Sequence, residues 1–453
     1  MNEQSRETPA EHRSGEPVGT KLLRIAERAR GDRGLRFVNL YYLMKEELLG
    51  ECYERLKGNK AAGIDEVTKE EYGTDLEANL KKLTGKLQGM SYRPEAVRRV
   101  YIPKPGSGKQ RPLGIPCVED KLVGMALGRI LEAIYEEEFV ESSYGFRPGR
   151  SCHDALRALS QAVEKGNTNY VVEADIKRYF DSVDHDWMMK MLEERIGDKR
   201  VLRVVKRFLK AGVMEEGQRK ESEEGTPQGS SLSPILANVY LHYALDVWFE
   251  KVYRKSCKGK AKQIRYADDF VACFQNREDA MRYRAELEAR LNKFGLELEP
   301  TKTKVLEFGA SAERNARGRG EKPETFEFLG FTHYCSRDRT GKRYRMKRVT
   351  SGKKNRAKLV AFKEWIKHER DRPLQWIMEQ VAAKLRGHYS YYGVSDNSRG
   401  LVRFTRGVQR LLYKWLNRRS QRRSYRWEEF LEMLDRFKLP EPRIRVNLNV
   451  YQL

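Results

Sequence analysis

Two apolar segments carrying aspartates restrict what this chain can fold into. The first, Asn169-Tyr-Val-Val-Glu-Ala-Asp175, is apolar and β-branched up to the point where a strand would leave a sheet, and it places a carboxylate there. About 90 residues later, Ile264-Arg-Tyr-Ala-Asp268-Asp269-Phe-Val-Ala-Cys-Phe274 sets two adjacent carboxylates between apolar half-strands, the pattern of a hairpin with acids at its tip. Aspartate at a hairpin tip is, alone, ordinary turn chemistry. Together the segments predict neighbouring strands whose ends gather hard oxygen ligands. Two divalent ions about 4 Å apart on such ligands can activate a hydroxyl nucleophile, steady a leaving pyrophosphate and neutralise triphosphate charge. Asp175 and Asp268 are the expected ligands. Asp269 has a weaker direct claim, because successive strand side chains point to opposite faces.

The rest of the chain reads as α+β. A strand is expected over Val97–Pro103 and helices over Phe37–Leu56, Leu122–Phe139, Asp186–Leu209 (one or two) and Arg277–Phe294. Ser233-Pro234 should open another, with Ser233 as N-cap, running to about Val252. Residues 1–34 are polar without a periodic apolar pattern and are expected to be a disordered arm. Two basic loops, Arg254–Lys262 and Ala312–Lys322, lack apolar anchors and are expected to be mobile. Beyond Arg337 helices predominate. In Gly400–Leu416, Leu401, Phe404, Val408, Leu411, Leu412 and Trp415 mark one face, and Arg403, Arg406, Arg410, Lys414 and Arg418 another.

Charge narrows the partner. Lys and Arg number 89 against 65 Asp and Glu, a net +24, and between Arg337 and Trp427 the counts are 27 against 6. Most of the excess therefore sits in one C-terminal lobe, as a polyanion-binding face requires. No apolar run approaches the roughly 18 residues of a membrane span and no signal peptide is recognisable, so a cytoplasmic protein is expected, with no membrane partner. Six dispersed cysteines without a C-x-x-C pair suit reduced thiols. His333 and Cys335 lack a second ligand pair for zinc and are expected to pack.

Tyr266-Ala-Asp268-Asp269 resembles the Y-x-D-D box of reverse transcriptases, and Asp175-Ile-Lys-Arg-Tyr-Phe180-Asp resembles their first palm motif. Ser143-Tyr-Gly-Phe-Arg-Pro-Gly149, Gly225-Thr-Pro-Gln228-Gly, Gly295-Leu-Glu-Leu-Glu-Pro-Thr-Lys302 and Phe328-Leu-Gly-Phe331 extend the likeness to the ordered motif series of group II intron-encoded reverse transcriptases and maturases. The resemblance covers roughly residues 37 to 440. It implies a right-hand polymerase fold with fingers and palm and an α-helical thumb or maturase region. The divisions expected are an N-terminal extension and fingers over 35–165, a palm over 166–335, a thumb over 336–427 and a short tail over 428–453.

The resemblance also implies roles. Asp175, Asp268 and Asp269 would be catalytic, and Asp175, Ile176 and Asp268 would hold a two-ion Mg²⁺ site, with Mn²⁺ as an alternative ion. Lys104, Arg111, Phe180 and Gln228 would bind the dNTP: the cations on its phosphates, Phe180 beneath the sugar as a gate against a 2′-hydroxyl. Leu329, Gly330 and Lys302 would contact primer and template, and Arg403, Arg406, Arg410, Lys414, Arg418 and Arg419 would contact RNA. The partners implied are the parent group II intron RNA, an RNA template with a DNA or RNA primer, target DNA and dNTPs, serving splicing and retrohoming by target-primed reverse transcription. Many relatives end in an H-N-H endonuclease with paired cysteines; the stretch after Trp427 has none, so second-strand cleavage and a full DNA-binding domain are not expected. The alternatives are a splicing-only maturase and a reverse transcriptase domesticated for repair or phage defence.

Overall fold

The computed structural model of the chain describes residues 16–103, 110–215, 218–220, 224–226, 229–338, 340–419 and 424–451. Its centre is a four-stranded antiparallel sheet in the order Ala261–Tyr266, Asp269–Phe274, Tyr170–Asp175, Lys304–Glu307. The register pairs Ala174 with Phe270, Val172 with Ala272 and Val171 with Cys273. Strand alternation then sorts these residues between two cores. Val172, Ala174, Phe270, Ala272 and Phe274 join one, built with helices Val118–Tyr135, Ser233–Leu241 and Arg277–Asn292. Val171, Ile264, Val271, Cys273 and Leu306 join the other, with helices Leu374–Tyr392 and Ser398–Leu416. Because both faces are covered, the two central strands, Tyr170–Asp175 and Asp269–Phe274, read as largely continuous apolar runs rather than alternating ones.

A second sheet has the order Gln110–Ile115, Val97–Pro103, Val213–Glu215, Gln218–Lys220, and a third joins Tyr344–Thr350, Phe331–Arg337 and Thr325–Phe328. The mixture is α+β, as expected. Helix Cys152–Lys165 packs into the second of the two cores. His333 is buried, stacked 4.9 Å from Phe326, and all six cysteines are free. Among the described residues no helix is long and apolar enough to cross a membrane.

Several expectations are corrected. Residues 18–31 of the supposed disordered arm form a helix, Val18–Gly31, packed against Val118–Tyr135; residues 1–15 lie outside the described residues. Val18, Leu22, Ile25 and Ala29 recur at helical spacing, a pattern diluted by the charges between them. The stretch from Phe37 to Leu56 is not one helix: a single turn at Tyr41–Leu43 precedes Glu46–Arg55. Ser233 is not an N-cap. Leu232 holds that position and Ser233 is buried inside the helix, whose regular part ends at Leu241 and continues through wider π-helical turns, His242–Asp246 and Phe249–Tyr253.

Neither basic loop is unanchored. Ala310–Gly318 is helical with Ala312 and Ala316 buried. The Asp279 carboxylate accepts from the backbone N–H of Lys258 (3.2 Å) and Gly259 (3.0 Å), tying down the other. The expected tail also packs: Trp427–Arg436 buries Phe430, Met433 and Leu434, and Leu448 and Val450 are buried beyond it. Leu411 lies half-buried at the border of its helix's core face, while Leu401, Phe404, Val408, Leu412 and Trp415 are buried as expected.

The second core holds a histidine whose ring makes no hydrogen bond among the described residues. His388 is stacked 3.7 Å from Phe404 and 4.8 Å from Tyr392. Burial first, and the Lys358 charge second, push its pKa down to about 3. The folded value lies below the ordinary 6.5, so the unfolded chain binds the extra proton in between. Stability from this residue is present above pH 6.5 and lost as pH falls toward 3; at pH 5 the expected cost is about 2 kcal/mol. His388→Phe should flatten this acid limb in urea melts between pH 7 and 5; an unchanged slope would exclude His388 as its source.

Candidate active site

The acidic residues meet at one end of the central sheet. Asp175 ends its strand directly opposite Asp269, the first residue of the neighbouring strand, so the two side chains project from the same face. Tyr266 pairs with Asp269, leaving Ala267-Asp268 as a two-residue turn, with φ +57° at Ala267. Strand alternation therefore does not separate the two aspartates, because Asp268 lies in the turn, outside the ladder.

Electrostatics tie the three together. Burial raises the Asp268 pKa and the charge of Asp175 raises it further, opposed by Arg111 and Arg265. Burial pushes Asp269 up to about 7, with the charges of Asp268, Asp175 and Glu173 adding to it and the Leu329 N–H opposing. The Asp269 Oδ2 accepts that N–H at 3.3 Å, which connects the acidic hairpin to the Leu329-Gly330 turn. The Lys302 ammonium pairs with Asp175 and is held protonated by it. Lys302, expected on primer or template, is thus engaged with the first carboxylate.

Among the described residues no three His, Cys, Asp or Glu side chains stand close enough to hold a metal ion. The donors present still fit a hard cation. They are carboxylate oxygens crowded enough that the Asp175 charge helps to raise the pKa of both Asp268 and Asp269, and Mg²⁺ typically takes one or two carboxylates while water and substrate phosphate fill its shell. Ile176, buried and bridged to Leu298, could offer only its main chain.

Three further segments close on this edge. Arg111 is exposed on strand Gln110–Ile115, near enough for its charge to act on Asp268. Phe180 is half-buried beside fully buried Tyr179, whose hydroxyl donates to the Ala237 carbonyl at 2.5 Å; the two rings do not face opposite ways but meet edge to face, 5.3 Å apart, against the same core, because Tyr179–Asp181 is a helical turn rather than a strand. The loop from Gly225 docks on them: Thr226 N–H donates to the Phe180 carbonyl at 2.7 Å, and a Cβ on Gly229 would lie 2.3 Å from the Gly114 carbonyl. Gln228 and Lys104 lie outside the described residues.

Leu329 and Gly330 form the turn between Thr325–Phe328 and Phe331–Arg337, with φ of +49° and +77°. Glycine suits the second position by conformation and by proximity, since a Cβ there would sit 3.0 Å from the Tyr392 hydroxyl. A leucine at positive φ is strained; the Tyr391 hydroxyl holds its carbonyl at 3.0 Å and Asp269 its N–H. Farther off, Arg403, Arg406, Arg410, Lys414 and Arg418 are exposed along the Ser398–Leu416 helix and just beyond it, while Arg419 donates to the Arg372 carbonyl at 2.8 Å.

Sequence reasoning gave no role to Arg265, Asn238, Asp246 or Gly145, which surround the acidic turn. The available signal was Arg265 itself, a charge inside an apolar strand that must find a partner if buried.

Comparison with known proteins agrees with this geometry. Residues 102–333 match the family described as reverse transcriptase (RNA-dependent DNA polymerase). The chain is 40% identical over 227 residues to the group II intron-encoded protein LtrA of Lactococcus lactis subsp. cremoris, covering 50% of this chain and 38% of that protein. It is 37% identical over 250 residues to protein YkfC of Escherichia coli (strain K12), covering 54% and 64%. With an uncharacterized 91 kDa protein in the cob intron of Schizosaccharomyces pombe it shares 40% over 219 residues, covering 47% and 26%. The chain thus spans less than two thirds of the length of each of these relatives.

Proposed function

The chain belongs to the reverse transcriptase family, of the kind encoded in group II introns, and on that premise we propose that it copies RNA into DNA from a primer and binds its parent intron RNA, assisting splicing and target-primed retrohoming. One observation carries the catalytic half: Asp175 stands in register with Asp269 and one residue from Asp268, with Arg111 and Lys302 converging on the same edge.

In this reading Asp175 and Asp268 would hold the two Mg²⁺ ions, and Ile176 could add only its main-chain carbonyl. Bound there, the ions would lower the pKa of the primer 3′-hydroxyl and spread the triphosphate charge. Arg111, with Lys104, grips the triphosphate by charge-assisted hydrogen bonds. Phe180 fills the space beneath the sugar and excludes a 2′-hydroxyl, and Gln228 meets the nucleotide from its loop. Lys302 neutralises Asp175 between turnovers and exchanges that partner for the nucleic acid. The Leu329-Gly330 turn supports the primer end while Asp269 holds the turn to the hairpin. The divisions at residues 165, 335 and 427 serve as fingers, palm and thumb boundaries, with the ribonucleoprotein placed in the cytoplasm.

Primer extension on an RNA template with dNTPs and Mg²⁺ tests the catalytic half: templated cDNA is expected, and folded protein that binds RNA without incorporating nucleotide would make it a splicing factor only. For the RNA half, glutamine at Arg403, Arg406, Arg410 and Lys414 together is expected to weaken RNA binding and to flatten its logarithmic salt dependence by roughly 0.7 for each phosphate no longer neutralised. Filter binding across a KCl series reads both. An unchanged slope would remove this face from the interface.

A further inference from the structure

Arg265 is a fully buried cation one residue before the Y-x-D-D box, and all five of its N–H groups are used. Nε and Nη2 grip the two oxygens of Asp246 at 2.8 and 2.5 Å, a fork-to-fork pair with both side chains 0% exposed. Nη2 also donates to the Ser143 hydroxyl at 2.8 Å, and Nη1 donates to Asn238 Oδ1 at 3.0 Å and to the Ala267 carbonyl at 2.8 Å. The last bond falls on the acidic turn itself, at the non-glycine residue with φ +57°.

The partners of Arg265 are held in turn. Asn238 donates through Nδ2 to the Gly145 carbonyl at 2.7 Å, and a Cβ on Gly145 would meet the Ala267 nitrogen at 2.2 Å. Gln263 donates to Asp246 at 3.1 Å. Helix geometry explains how Asp246 and Asn238 reach one guanidinium. Eight residues of regular α-helix would carry the second about 80° round from the first. The π-helical turn His242–Asp246 fits an extra residue into its circuit and removes much of that offset. A buried ion pair of this kind is weak support for stability, so its retention calls for a geometric role.

We propose that Arg265, locked by Asp246 and Asn238, is the positioning residue that fixes the Ala267-Asp268 turn, so that divalent-ion affinity at the acidic edge depends on a cation that does not touch the ion. The inference rests on Asp268 being an ion ligand.

The test measures Mn²⁺ binding to the full chain with a template–primer, from the electron paramagnetic resonance signal of free Mn²⁺, beside thermal melts. Asp268→Ala should abolish the tight site; an unchanged isotherm there would overturn the ligand reading itself. With that loss observed, Asn238→Ala and Arg265→Lys should each weaken Mn²⁺ by on the order of 10- to 100-fold, as for residues that orient metal ligands. If Arg265→Lys fails to fold, Asn238→Ala decides, because it leaves the Arg265–Asp246 pair in place. Tyr240→Phe removes another buried bond of the same helix, the hydroxyl to the Phe294 carbonyl at 2.6 Å, and should lower the melting temperature without moving the isotherm. Wild-type Mn²⁺ affinity in folded Asn238→Ala, or an equal shift in Tyr240→Phe, would overturn the proposal.

Discussion

Asp268→Ala is expected to lower single-turnover nucleotide incorporation by on the order of 10²-fold or more while RNA affinity stays within about twofold, judged from losses on removing transition-state stabilisers. The two readouts should separate because the exposed cations lie on the Ser398–Leu416 helix, whose apolar face belongs to a different core from the helices behind the acidic hairpin. Folding should not suffer. Asp268 is raised by burial and by Asp175, so its removal relieves repulsion within the acidic cluster. A parallel loss of RNA binding and melting temperature would mean that Asp268 supports the fold, and the catalytic assignment would fall.

Gly145→Ala, a change of one methyl outside the acidic cluster, is expected to cost about 10²-fold in incorporation rate. The new Cβ would lie 2.2 Å from the Ala267 nitrogen and 2.8 Å from the Tyr266 carbonyl carbon, both main-chain atoms that no side-chain rotation can clear. The turn carrying Asp268 must move, and a displacement near 1 Å at a reacting centre can cost about 100-fold. Gly128→Ala is the contrasting change: its Cβ finds no atom nearer than 3.9 Å, and alanine favours the helix it would join by about 1 kcal/mol. Steady-state kinetics and circular dichroism on both variants check the argument. Full activity in Gly145→Ala would show that the turn tolerates displacement.

That Asp175 would meet an acidic hairpin was legible in the sequence, because two apolar, partly β-branched runs end on carboxylates; the register was not, since Asp269, ranked lower by strand alternation, stands directly opposite Asp175. The C-terminal helix was legible for a related reason, its apolar and basic faces separating cleanly. What else escaped was of two kinds. Helix Val18–Gly31 buries only a narrow stripe, so its charged majority outweighed its period. The Arg265 cluster joins residues up to 122 positions apart through a π-helical turn, and neither distance in sequence nor a widened turn leaves a periodic trace.

The central sheet is a partition with a core on each side, and this bears on how such a chain can be shortened. The stretch that matches the family ends at residue 333, before helices Leu374–Tyr392 and Ser398–Leu416, which complete the core that Val171, Ile264, Val271 and Cys273 share with helix Cys152–Lys165. Cut there, the chain would keep its acidic cluster and helix Cys152–Lys165 but lose the later half of that core, exposing apolar side chains to water or to another copy of itself. The helical region proposed to bind RNA is therefore also part of the packing that supports the sheet bearing the acidic cluster.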